Sequence, residues 1–290
     1  MSTLKMGMIL CFIAIATSCS KDNKNTVKVP VITDPINNFF KGEVKPALTQ
    51  NCYPGAYYRK MVTSKDYWLG IGGKVTLPTF TFDPDRTNPA KPGQYLDNPS
   101  IYLGGNMGGQ ETDIGMAWEV IKDANGNVSP DRKAFRPFLR RTQQTPNFIN
   151  APATADYYWY PGEEIEMSIQ VVSNGKLKFI VEGAGKRYET DFDAVGYTLE
   201  GVGEFKRVNA IDQVGREGKP VEATKTKVEN AVWKETYLFR KYNGEVIKVP
   251  AHSGRLTDMR CPSKSNFSIS ATPEELKKGA ETININGAGY

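Results

Sequence analysis

YYWYPGEEIEMSIQVVSNGKLKFIVE, residues 157–182, is the stretch that decides the fold. Ile165, Met167, Ile169 and Val171 alternate with Glu164, Glu166, Ser168 and Gln170, the period of a strand with one buried face. After Ser173, Asn174 and Gly175 a second alternation puts Leu177, Phe179 and Val181 on one side, so the stretch reads as a β-hairpin. Turn length then chooses the register. A two-residue Asn-Gly turn would pair Val172 with Leu177 and lay the apolar row of one strand beside the polar row of the other, which a period of two penalises along the whole strand. A three-residue loop over 173–175, with Gly175 at positive φ, pairs Val171 with Leu177, Ile169 with Phe179 and Met167 with Val181. The sequence predicts that register.

The rest of the chain repeats the pattern on either side. Short alternating runs occupy 56–62 (AYYRKMV), 67–82 (YWLGIGGKVTLPTFTF), 100–121 (SIYLGGNMGGQETDIGMAWEVI), 187–194 (RYETDFDA), 203–212 (GEFKRVNAID), 228–240 (VENAVWKETYLFR) and 281–286 (ETININ), with glycine and proline turns between them. Residues 83–99 carry Pro84, Pro89, Pro92 and Pro99 and read as a long surface loop. One short helix is predicted over 272–279, with Thr272 as N-cap, Pro273 at the first helical position, Glu275 closing a capping box and Gly279 ending it. Many short strands and almost no helix imply two packed antiparallel sheets. No fixed-period repeat and no change of composition divides 37–290, so a single β-sandwich domain is expected there.

At this level the chain resembles the concanavalin A-like lectin and glucanase jelly roll, through strand number and size, the YLGGN…DIGMAWE run, the aromatic YYWYPGEEIEMSI strand and FKRVNAID followed by the long WKETYLFR strand. The resemblance covers roughly residues 55–270. It implies an all-β, two-sheet antiparallel jelly-roll sandwich whose concave sheet binds glycans in lectins and cleaves them in glucanases. Retaining glucanases of that fold carry Glu-x-Asp-x-x-Glu on the catalytic strand. Here Glu111-Thr112-Asp113-Ile114-Gly115-Met116 lacks the second glutamate.

Residues 1–18 read as a targeting signal. Lys5 precedes the apolar run MGMILCFIAIA over 6–16, which has the charge and length of a secretory signal and is too short to anchor as a transmembrane helix. Ala16-Thr17-Ser18-Cys19 resembles a bacterial lipobox, which implies cleavage before Cys19 and a lipid on its thiol, with palmitate expected among the acyl chains of the lipidated cysteine. Residues 19–36 then form a lipidated tether resembling that of Bacteroidetes-type outer-membrane lipoproteins, on the periplasmic or cell-surface side. Cys52 and Cys261 alone remain of the four cysteines in the folded part. Export through an oxidising compartment permits their pairing, with two buried free thiols as the alternative.

Charge excludes some functions. The chain has 37 Lys and Arg against 32 Asp and Glu, a net charge of +5, and the loss of Lys5 with the signal leaves about +4. The compact basic group over 132–141 is interrupted by Phe135, Pro137 and Phe138, and neither a dense basic stripe nor a reader motif for nucleic acid is present. It reads as a solvated strand or loop. His252, the single histidine, rules out a metal site built on several histidines, and no cofactor is expected. Asp123, Asn125 and Asn127 have the glycine misplaced for a calcium loop and read as a plain turn.

Carboxylates and aromatics remain as candidates. Glycoside hydrolysis needs two carboxylates, one to protonate the leaving oxygen and one as nucleophile or base. Glu164 and Glu166 share a strand face, as do Glu111 and Asp113, while Glu119 and Glu235 neighbour Trp118 and Trp233. Glu164, Glu166, Glu111 and Glu235 are the catalytic candidates, paired as Glu164 with Glu111 or with Glu235. Sugar binding without catalysis needs only flat apolar faces and fixed polar groups. Trp159, Tyr157, Trp118, Trp68 and Gln170 are its candidates. The first expectation is therefore a carbohydrate-binding lipoprotein, with a glycoside hydrolase or lyase as the alternative and a structural or adhesive protein-binding module as the third.

Overall fold

The computed structural model describes residues 36–91, 93–119 and 134–290. The expected signal peptide, Cys19, nearly all of the tether and the turn at Asp123, Asn125 and Asn127 lie outside these residues. Two antiparallel sheets face each other as a jelly-roll sandwich. The seven-stranded sheet runs in the order β14 (Leu256–Cys261), β1 (Ala56–Thr63), β11 (Gly203–Gln213), β4 (Asp97–Met107), β5 (Gln110–Glu119), β6 (Ala134–Arg141) and β7 (Phe148–Asn150). The nine-stranded sheet runs in the order β10 (Lys186–Asp193), β9 (Lys176–Gly183), β8 (Glu164–Ser173), β2 (Trp68–Thr76), β12 (Lys227–Tyr242), β16 (Glu281–Asn286) and β15 (Phe267–Ser270), with β3 (Thr79–Thr81) and β13 (Glu245–Pro250) also pairing with β12.

The hairpin of β8 and β9 adopts the expected register, pairing Val171 with Leu177, Ile169 with Phe179 and Met167 with Val181. Its turn differs. Asn174 and Gly175 form a two-residue turn, Ser173 pairs with Lys176, and the register shifts between Val171 and Ser173 so that Val172 bulges out. The extra residue therefore sits in the strand and not in the loop, and the apolar row still reaches the core. The aromatic start of the stretch is not strand: Ala155–Tyr157 is a 3₁₀ turn, and Trp159 makes an isolated bridge to Phe135. Helix α1 (Pro273–Lys277) has the capping box between Thr272 and Glu275, and Gly279 follows at φ 65°.

Apolar side chains from both sheets fill the interior, with Trp68, Trp159, Trp233, Phe135, Phe179 and Phe205 all but inaccessible to solvent. A polar knot is buried beside them. Glu281 of β16 takes Arg207 of β11 and Arg59 of β1, and Arg207 also donates to Thr236 Oγ1 at 2.7 Å and the Gly279 carbonyl at 2.8 Å. The Trp233 ring lies 4.8 Å from the Arg207 guanidinium, and its Nε1 donates to Asn209 at 2.8 Å. These groups couple the two sheets, and buried charges need such pairing. The 83–96 loop is anchored in the same way, by Arg86 against Asp97, both buried.

The N-terminal segment acts as a strap. Glu43 and Arg255 form an ion pair that solvent does not reach, the Val44 amide donates to Asp66 at 2.9 Å, and Thr257 Oγ1 donates to the Ala47 carbonyl at 2.6 Å. Cys52 then joins Cys261 in a disulfide. Thr257 and Cys261 pair with Val62 and Tyr58, so the strap crosses the outward side of β14 and β1.

Candidate functional site

The outward face of the seven-stranded sheet carries a groove of about 620 Å³. Strand alternation builds it. On β11 Phe205, Arg207, Asn209 and Ile211 turn inward, so Lys206, Val208, Ala210 and Asp212 turn outward; Ser100 and Tyr102 of β4, Glu111 and Asp113 of β5, and Phe138 and Arg140 of β6 share their side. The registers lay these residues out in rows. Lys206, Gly104, Asp113 and Arg140 form one row, and Lys60, Val208, Tyr102, Gly115 and Phe138 the next.

Glycine is required within the first row. A Cβ on Gly104 would fall 2.4 Å from Asp113 Oδ1 and from the Thr112 carbonyl. Its absence lets Lys206 cross to Glu111 Oε1 at 2.5 Å and Asp113 Oδ1 at 2.9 Å, above the Tyr102 ring. Burial works to lower the Lys206 pKa, but the Asp113 and Glu111 carboxylates outweigh it and hold the ammonium charged well above its ordinary range. Glu111 is affected in return: burial pushes its carboxyl up, Lys206 pulls it further down, and it ends below its usual value.

Asp212 is the opposite case. Burial is the main cause pushing its carboxyl up to about 6, against a 2.6 Å hydrogen bond from Ser100 Oγ, with Asp113 and Glu217 adding to the rise and Arg140 opposing it. Burial also raises Tyr102 and Tyr58, whose hydroxyl oxygen accepts the Tyr53 amide at 2.8 Å. Tyr53, beside the disulfide, forms the wall of the groove at that end. Phe138 stands edge-on to Tyr102 at 6.1 Å and stacks on Phe148 at 6.2 Å, which extends the aromatic strip to the sheet edge. A smaller hollow of about 230 Å³, lined by Tyr95, Trp118 and Arg136, adjoins the groove through Asn98, Ala117 and Phe148.

The candidates named from sequence are scattered. Glu111 is in the groove and Trp118 is half-buried in the adjoining hollow. Glu164, Glu166, Glu235 and Gln170 lie on the outward face of the other sheet, where Glu166 accepts from the Tyr237 hydroxyl at 2.6 Å and from Lys248 at 3.1 Å. Glu164 and Glu111 thus point away from opposite sides of the sandwich, farther apart than the ~10 Å between packed sheets, and do not form a catalytic pair. Glu166 and Glu235 both flank Lys74, two strand spacings apart. Trp159 and Trp68 are core, the first giving its Nε1 hydrogen to the Gly183 carbonyl at 3.0 Å. They have no face free for a sugar. Tyr157 is half-buried against Tyr188 at 5.5 Å. The basic group over 132–141, read as solvated, is in its described part a core strand: Arg136 pairs with Glu119, and Arg141 is buried and donates to the Asp193 carbonyl at 2.7 Å.

His252 packs edge-on against Phe39 at 5.1 Å and is not among the residues that line the groove. Burial and Arg255 lower its pKa. Among the described residues no three His, Cys, Asp or Glu side chains converge as a metal set. Sequence reasoning missed Tyr102, Lys206, Asp212, Phe138 and Arg140. The available signal was the FKRVNAID alternation, whose two rows both mix charged and apolar residues.

No protein-family model matches the chain, and no curated protein matches it. Among solved structures it is similar to scytalido-glutamic peptidase with a transition state analog inhibitor, at 9% identity and TM-score 0.48 over 79% of this chain and 97% of that one. It is also similar to SCP-B, of the Eqolisin peptidases, at 8% identity and TM-score 0.41 over 79% and 97%. A glycoside hydrolase family 16 endo-glucanase from Bacteroides ovatus follows at 11% identity and TM-score 0.30, over 70% and 95%. Likeness at this level lends no residue role to this protein.

Proposed function

We propose that this protein is a lipid-anchored outer-membrane protein whose jelly-roll domain binds glycan in the groove of the seven-stranded sheet. One observation carries the reading: Tyr102, Phe138 and Phe148 stand in a single groove with Asn98, Ser100, Asp113 and Asp212. Flat apolar rings stack on the C–H faces of sugars, and amide, hydroxyl and carboxylate groups fix the hydroxyls. The membrane attachment rests on Cys19 behind its lipobox-like residues, with 19–36 as the tether. An adhesive protein-binding module is less well supported, because the apolar cluster of Tyr58, Val62, Val208 and Met259 on this face is already buried.

The test is binding by soluble 37–290 on an array of plant, host and microbial glycans, with Tyr102→Ala and Phe138→Ala alongside. Retention of a glycan that both variants lose supports the reading. Binding unchanged in both moves the site elsewhere. A second reading, hydrolysis in the same groove, is favoured by Asp212, whose carboxyl at about 6 suits a proton donor near neutral pH. Release of reducing ends that disappears in Asp212→Asn would select it.

A further inference from the structure

Three cations line the groove, and two are already neutralised. Lys206 is held by Glu111 and Asp113, and Arg140 donates to Glu217 at 2.9 Å. Lys60 of β1 is half-buried in the same groove, and its ammonium makes no hydrogen bond or ion pair with any described residue. The groups that act on it across the groove are Lys206 and Glu204 of β11 and Glu111 and Asp113 of β5. Burial is the main cause lowering its pKa, Lys206 adds to that, and the three carboxylates offset part of it.

The position of Lys60 is informative. It sits between Met259 of β14 and Val208 of β11, in the row that continues through Tyr102 to Gly115 and Phe138. A Cβ on Gly115 would come within 2.5 Å of Tyr102 Cβ, so glycine there lets the ring lie close over the sheet. The row thus carries two rings, Tyr102 and Phe138, to one side of an unpaired ammonium. A carboxylated pyranose has the complementary shape, with a C–H face for the rings and a carboxylate projecting from one edge. A charge-assisted hydrogen bond to that carboxylate would repay the desolvation of the amine.

Resting on the glycan-binding reading, we propose that the ligand is an acidic glycan whose sugars carry carboxylates, and that Lys60 is the residue that selects for that charge. The probes are polygalacturonate and alginate against the methyl ester of the first and the propylene glycol ester of the second. Each ester keeps its backbone and loses its charge. Affinity is measured for the parent protein, Lys60→Gln and Lys60→Arg, with thermal melting to confirm folding. The expected result is binding to the acid forms that weakens about ten-fold or more on esterification, the scale of one charge-assisted hydrogen bond. Lys60→Gln removes that preference and Lys60→Arg keeps it. Equal binding of acid and ester, a folded Lys60→Gln that still discriminates, or binding confined to neutral glycans of the array each overturns the inference and leaves glycan binding standing. Silence on every glycan, acidic and neutral, overturns both.

Discussion

Asp212 and Lys206 share the outward row of β11, yet burial leaves them in opposite states. Lys206 has two carboxylates and stays charged; Asp212 has one neutral hydroxyl donor, Ser100, and is raised from 3.8 to about 6. The sign of its effect on stability follows. Below about pH 4 the carboxyl is protonated folded and unfolded alike, and it changes nothing. Between about 4 and 6 only the folded chain keeps the proton, so stability declines as pH rises through that window. Above it the fold carries a desolvated carboxylate that the unfolded chain keeps in water. Allowing for solvent at the groove mouth, Asp212→Asn should stabilise the protein by about 1–2 kcal/mol near neutral pH and by nothing near pH 4. Paired thermal melts across that range check it, and equal melting at neutral pH would show that Asp212 is not penalised. Gly104→Ala should act in the other direction. The new methyl displaces Asp113 from Lys206, at a cost of about 1–3 kcal/mol and with loss of glycan binding, read by melting and titration on the same sample.

Elements were legible where burial matched the alternation. In β8 and β9 one row is apolar and the other polar but for Ile180, so register could be read directly, and only the division of the extra residue between loop and bulge was missed. β11 was not legible in that way. Its inward row contains Arg207 and Asn209 because residues distant in sequence pair with them, Glu281 accepting from Arg207 and Trp233 donating to Asn209, and its outward row contains Val208 and Ala210. No local pattern specifies those partners. The strap is the second long-range element. Its disulfide closes a loop across a sequence separation of 209, and the Glu43–Arg255 pair holds its start. Cys52→Ser with Cys261→Ser should lower unfolding free energy by about 2–5 kcal/mol, measured by denaturant titration. A loss of that size should also loosen Tyr53 at the groove wall and weaken ligand binding in the folded variant.

On the scale of the whole molecule the sandwich has two outward faces, and the functional reading depends on which one is used. The nine-stranded sheet presents Glu164, Glu166, Gln170 and Glu235, but Tyr237 and Lys248 already occupy Glu166. The seven-stranded sheet presents the groove with its aromatic strip and unpaired amine. Trp159, which precedes the hairpin, belongs to neither face because it fills the space between the sheets. Three substitutions separate these roles if binding is expressed per folded molecule. Trp159→Ala should cost about 3–5 kcal/mol through the cavity it leaves, with a large fall in melting temperature and normal affinity in whatever fraction stays folded. Tyr102→Ala should abolish binding with a smaller fall in melting than Trp159→Ala, since its ring lines the groove and packs on Phe138 and the Val208 cluster but supports no strand of the opposite sheet. Glu166→Gln should spare both quantities apart from the small loss of an exposed ion pair with Lys248. If Glu166→Gln abolishes binding while Tyr102→Ala spares it, the ligand sits on the nine-stranded face and the groove has another use.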